Sequence, residues 1–321
     1  MNSLNSPNSP TNESTHTTRS RGRAMLVLVL FSAVWGFSFP IIKDATVGYP
    51  VSAFLLLRFS TAMVAMLLVS WRALLSRALW ARRNHRALLL AFLAGLANFV
   101  GFETQTVGLQ TTSPGSAAFI TALYVVLVPL ILVMIRRISC HNRLWASVLL
   151  SVVGLACLFG QRASFSVGIG AGWLLLTAVA FALQIVLTGM LPAGVNMLAL
   201  VSVQLLVCTM GAILFAFADP SPWPALPPDT LTAAIYLGIV ATAVGTVAQT
   251  WAQRHVAANE TALIFCSEPA WGALASVMLA SESFTAFGGL GCALMLLGMI
   301  SVTRKAKSVQ VSDSSPTVIR S

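Results

Sequence analysis

Ten apolar runs, each close to the length that crosses a bilayer, constrain this chain more than any single motif. They cover residues 24–42, 51–71, 86–108, 115–135, 143–160, 170–190, 197–217, 230–252, 258–280 and 284–303. A hydrocarbon core about 30 Å thick needs roughly 20 helical residues. The connections between the runs are short, and most carry proline, glycine or charge, which punctuates the runs. The pattern predicts an all-α integral membrane protein with ten transmembrane helices. Residues 1–23 and 304–321 are polar and read as disordered tails. The first run follows Arg19, Arg21 and Arg23, as a signal peptide would. It is long for that role, and no A-x-A-like cleavage site follows, so it is read as a retained helix.

Charge supports this reading. Only 9% of the 321 residues are charged and 57% are hydrophobic, whereas soluble domains carry about 25% charged residues. The nineteen Lys and Arg against nine Asp and Glu would suit nucleic acid or cytoplasmic anchors, and position decides between them. With the N-terminus inside, Arg19, Arg21, Arg23, Arg72, Arg77, Arg82, Arg83, Arg86, Arg136, Arg137, Arg143, Arg254, Arg304, Lys305 and Lys307 share one side. Lys43 and Arg162 face the other. That bias places both termini in the cytoplasm of a multi-pass protein of the cell membrane. It accounts for the basic charge without a nucleic-acid partner.

Several chemistries are disfavoured. The five cysteines are scattered without a CxxC pair, which argues against a disulfide framework or zinc site. The four histidines fall in cytoplasmic segments with only Glu260 as a nearby acid, so no metal site is expected. No phosphate-binding G-x-x-x-x-G-K-[ST] run is present, which disfavours an ATP-driven pump. No cofactor is implied.

The chain also resembles itself. At an offset of 144, Gly101 meets Gly245, Gln105 meets Gln249, Thr106 meets Thr250, Ala118 meets Ala262 and Gly154 meets Gly298. Roughly one position in five agrees over this stretch. An odd number of helices per half makes such a duplication an inverted pair. The halves would be residues 24–160 and 170–303.

At this point the residues resemble a known family. Trp35-Gly36-Phe37-Ser38-Phe39 with Lys43, then Leu57-Arg58-Phe59, are similar to motifs of EamA-type transporters of the drug/metabolite transporter superfamily. So are Gly108 to Ser113 leading into Leu123 to Pro129, then Glu268-Pro269 and Glu282. The resemblance spans about 24–303. It implies two inverted five-helix repeats, a central cavity and alternating access. One departure is Ile138, which stands at the position matching Glu282, where the family often has Glu. A salt bridge built on that acid would be missing.

Polar residues in the spans are the site candidates, because charge in a bilayer core is costly. Arg58 suits either an anchor or ion pair, or an anionic substrate group. Glu103, Thr106 and Gln110 share one helix face. Thr242, Thr246, Gln249 and Gln253 form a stripe at helical period, as do Thr177, Gln184 and Thr188. Such stripes act as interhelical glue or line a polar pore. Glu268 precedes Pro269 within a span, as a kink with a buried acid or a coupling site. Its mate at offset 144 is Tyr124. Trp35 and Trp271 suit packing or an aromatic wall. The candidate substrate-binding set is therefore Trp35, Ser38, Arg58, Glu103, Gln110, Tyr124, Gln184, Gln249, Glu268 and Trp271. Gly288, Gly291 and Cys292, with Ser147 and Ser151, suit close helix packing within a subunit or in a homodimer. The expected function is secondary transport of a small organic metabolite, amino-acid-like or related, with proton coupling through Glu103 or Glu268 as a sharper version. The alternatives are an intramembrane enzyme, such as a lipid or acyl transferase, and a scaffold. No His-Asp or His-Cys grouping in the spans supports the enzyme.

Overall fold

The computed structural model describes residues 11–136, 142–159, 168–280 and 286–303. Every regular element among them is helical: α1 (Thr11–Ala45), α2 (Val51–Leu74), a 3-10 turn (Arg82–Asn84), α3 (His85–Thr111), α4 (Pro114–Thr121), α5 (Tyr124–Arg136), α6 (Asn142–Phe159), α7 (Ile169–Gly189), α8 (Met197–Ala218), α9 (Pro228–Tyr236), a π-helical segment (Leu237–Val244), α10 (Gly245–Ala252), α11 (Ala258–Phe265), α12 (Glu268–Ala280) and α13 (Ala286–Thr303). Seven continuous stretches are long and apolar enough to cross a membrane; α6 and α13 contribute shorter apolar segments. Ile138, Arg162, Glu282, the first ten residues and the tail after Thr303 lie outside the described residues.

Local chemistry sets the helix starts. Pro114 and Pro228 open α4 and α9, where a missing N–H costs nothing. Ser113 and Asn196 cap α4 and α8 by accepting from Ser116 N and Ala199 N. Gly48, at φ 69°, turns the chain between α1 and α2.

Three features differ from ten plain rods. α1 begins at Thr11, within the segment expected to be a disordered tail. Extending a formed helix is far easier than nucleating one, and Arg21 is anchored to Glu260 at 2.7 Å. The runs at 115–135 and 258–280 each break, at Ala122–Leu123 and at Cys266–Ser267. These breaks are 144 residues apart. The run at 230–252 passes through the π-helical segment.

Packing follows the same correspondence. α3 packs on α7 and α8, α2 on α8, α6 on α13, and α5 on α7. Exchanging each first-half helix for its second-half mate carries the first contact to α10 on α1, the second to the π segment on α2, and the last to α12 on α1. All of these occur, and the α2–α8 and α6–α13 pairs map onto themselves. Small residues allow the close approaches: a Cβ on Gly154 would meet the Gly291 carbonyl oxygen at 2.7 Å, and one on Gly298 would meet the Ser147 carbonyl at 2.9 Å. The expected small-residue packing of the fifth and tenth runs is thus used within the chain. Buried hydroxyl pairs Ser70–Ser202 (2.6 Å) and Thr104–Thr177 (2.8 Å) tie helices across the halves, each worth about 0.6 kcal/mol in a membrane interior. One apolar cluster around Phe39, Phe54, Phe59, Leu109 and Leu174 and another around Leu28, Val128, Val186 and Phe265 both reach the central space.

Candidate functional site: a buried polar cavity

Between those clusters lies a cavity of about 50 Å³. Its wall consists almost entirely of residues in matched positions of the two halves. At an offset of 144 the pairs are Phe102 with Thr246, Gln105 with Gln249 and Tyr124 with Glu268; at 146 they are Trp35 with Phe181, Ser38 with Gln184 and Phe39 with Ile185. Asn98 and Phe265 complete the wall.

The helix breaks place the two titratable members of the wall. Tyr124 is the first residue of α5 and Glu268 the first of α12, so each stands where its span restarts. Both are buried, and the Tyr124 hydroxyl lies beside the Glu268 carboxyl. The positive end of the α12 dipole faces this carboxyl. Pro269, within the apolar run at 258–280, sits in the first turn of α12 directly after the break, where proline fits without breaking a helical bond. The Ser32 and Ser267 hydroxyls, 2.7 Å apart, brace the break from α1.

The glutamines crosslink α7 to the end of α10, within the second half. Gln249 Nε2 donates to Gln184 Oε1 at 2.9 Å and to Gln253 Oε1 at 3.1 Å; Gln184 Nε2 donates to Thr188 Oγ1, and Gln253 Nε2 to the Ile185 carbonyl. Trp35 donates its indole N–H to the Ala241 carbonyl at 2.8 Å. Ala241 lies in the π-helical segment, where the usual i to i−4 ladder is displaced and a carbonyl is open to a side chain. Thr242 Oγ1 in the same segment bonds Leu237 O, five residues back.

Of the sequence candidates, Trp35, Ser38, Tyr124, Gln184, Gln249 and Glu268 meet at the cavity. Four do not line it. Gln110 is exposed near the end of α3 and donates to Thr46 Oγ1. Glu103 is half-buried on another face of α3. Trp271 packs against Gly36. Arg58 is completely buried behind the Phe102 ring. The cavity face of α3 is Asn98, Phe102 and Gln105, spaced four and three, rather than Glu103, Thr106 and Gln110. Gln105 was readable from its match to Gln249; Asn98 carried no comparable signal. The polar stripes divide between both roles. Thr177 is glue, bonding Thr104, while Gln184, Thr246 and Gln249 line the cavity.

The sequence pattern of the EamA-like transporter family matches residues 22–160 and, a second time, residues 168–304. The chain belongs to the EamA-like transporter family. With its apolar helices, this makes it a multi-pass membrane protein, and EamA-like membership points to transport rather than catalysis. A relative from Archaeoglobus fulgidus, described as an uncharacterized transporter, is 28% identical over 282 residues, covering 87% of this chain and 85% of the relative. A solved structure, described only as a crystal structure of a protein, is similar in fold, with a TM-score of 0.68 and 17% identity over 88% of this chain and 96% of that one.

Proposed function

We propose that this EamA-like protein is a secondary active transporter that moves a small organic metabolite, amino-acid-like or related, through the central cavity by alternating access. Ten spans form two inverted five-helix repeats, with both termini cytoplasmic. The observation that carries the reading is the pairing of the wall: residues from matched positions of both halves, buried and polar, enclose one space. A site shared by two related halves is reached from either side when the halves rock about it. The matched packing and the two equivalent helix breaks support the repeat, and the bias of Lys and Arg supports the orientation. Ligand pockets commonly measure about 300–1,000 Å³. This cavity is far smaller and therefore widens to admit cargo.

Glu268 is the coupling group in this reading, because it is the acid that lines the cavity and it stands beside a second titratable group, Tyr124. In proteoliposomes, Glu268→Gln is expected to abolish the response of flux to an imposed pH gradient while the protein stays folded and still exchanges cargo. Full pH-driven flux in the glutamine variant would remove Glu268 from coupling. A thermal-shift panel of amino acids, nucleosides and sugars on the purified protein identifies the cargo class.

A further inference from the structure

A charge with no counter-ion among the described residues lies directly behind one wall of the cavity. Arg58, near the start of α2, is completely buried. Its Nε donates to Thr242 Oγ1 at 3.0 Å, but neither Nη1 nor Nη2 has a hydrogen-bond partner among the described residues. The guanidinium carbon stands 4.2 Å from the centre of the Phe102 ring, and Phe102 lines the cavity. Near the guanidinium lies the Cys208 thiol, which donates to the Gly95 carbonyl at 3.3 Å; Asn98, another wall residue, lies beside that thiol. Thr242 is one turn from Thr246, a third. Arg58 thus forms the layer immediately behind Asn98, Phe102 and Thr246. No described carboxylate bonds to it. The aromatic face offsets part of the cost of the buried cation and leaves the terminal donors unused.

We propose that Arg58 recognises the cargo, and that the cargo carries a carboxylate which reaches the two free Nη groups when the Phe102 ring swings aside. The inference rests on the transport reading of the cavity. Two parallel N–H donors match the two oxygens of a carboxylate. The charge balance favours a monoanion, because the cavity wall contains no Lys or Arg of its own and Glu268 would repel a second negative charge. A phosphate dianion would leave charge uncompensated. The aromatic lining from Trp35, Phe39, Phe181 and Phe265 fits an apolar body attached to that carboxylate.

The test uses full-length protein in proteoliposomes and in detergent, with matched acids and primary amides: leucine and leucinamide, phenylalanine and phenylalaninamide, 3-phenylpropionate and 3-phenylpropionamide. For at least one pair, the wild type is expected to bind and transport the acid at least roughly tenfold better than the amide, as charge-assisted bonds require. Arg58→Gln is expected to bring that ratio near one, and Arg58→Lys to restore part of it. If Arg58→Gln does not fold, Phe102→Leu, which thins the cover, is expected to raise the acid-to-amide ratio. Amides handled as well as acids, an unchanged preference in Arg58→Gln, or an unchanged ratio in Phe102→Leu would overturn the assignment. Transport of neutral or cationic probes alone overturns Arg58 recognition and leaves the transport reading standing. Failure of every probe, charged or neutral, to bind or cross counts against both.

Discussion

Gly36 sets how closely α1 approaches α12. A Cβ at this position would stand 2.5 Å from the Glu268 carbonyl oxygen and 2.8 Å from the Trp271 Cβ. The first is backbone, so it cannot rotate away, and the helices themselves would have to separate. Overpacking of this kind costs about 1–3 kcal/mol. Gly36→Ala is therefore expected to destabilise the protein by that order, read as a lower midpoint in thermal unfolding in detergent. It should weaken cargo binding as well, because Trp35 and Ser38 flank Gly36 and both line the cavity. An unchanged midpoint would mean that α1 and α12 have slack that this geometry does not show. The same residue scale explains why part of the site was legible in the sequence. Glu268 and Tyr124 stood out as polar groups in apolar runs and were linked by a single offset. Glu103 stood out equally, yet it lies about 100° around α3 from Phe102 and misses the cavity. Several residues of α3 are polar, so a polarity count does not select the face; the helix's rotation against α7 and α8 does.

At the scale of elements, the run lengths were plain because bilayer thickness imposes them. The interruptions were not. Ala122 and Leu123 are ordinary apolar residues with good helix propensity, and nothing local announces that α4 ends there. The break becomes legible only through its counterpart at Cys266–Ser267, next to Pro269. The π-helical segment is similarly silent in sequence, because Leu237–Val244 reads as an apolar stretch whose Thr242 fits the spacing of a regular helix. Its consequence is specific. The extra residue rotates everything downstream by about 100°, which brings Thr246 and Gln249 to the cavity while Thr242 faces Arg58. Deleting Val240 is expected to restore a regular helix, turn Thr246 and Gln249 away and abolish transport, with the protein still monodisperse on size-exclusion chromatography. Retained transport with wild-type affinity would show that the π segment does not set the register of α10.

At the scale of the whole molecule, the two halves are matched in packing and unmatched in charge. Arg21 on α1 pairs with Glu260 on α11 at 2.7 Å, and Glu260 also accepts from Ala257 N. The residue matched to Glu260 at an offset of 144 is Ser116, which carries no charge. One end of the α1–α11 contact is thus fastened by an ion pair, while the matched position on α4 offers none. Near the other end of α1, Lys43 Nζ instead donates to the carbonyls of Leu109, Gln110 and Thr112, at the C-terminus of α3, where a cation is favoured by the helix dipole. A frame that is nearly symmetric in shape can exchange between two similar arrangements, and unequal fastenings set which one prevails. Alternating access requires that the wall between the halves be reached from both sides of the membrane. The direct measurement places a single cysteine at Gln105 or Gln249, in a chain whose Cys140, Cys157, Cys208, Cys266 and Cys292 are replaced by serine or alanine. Proteoliposomes are then exposed to a membrane-impermeant thiol reagent from one side at a time. Labelling of each position from either side is the expected result. Labelling of both positions from the same single side, or from neither, would contradict alternating access through this cavity.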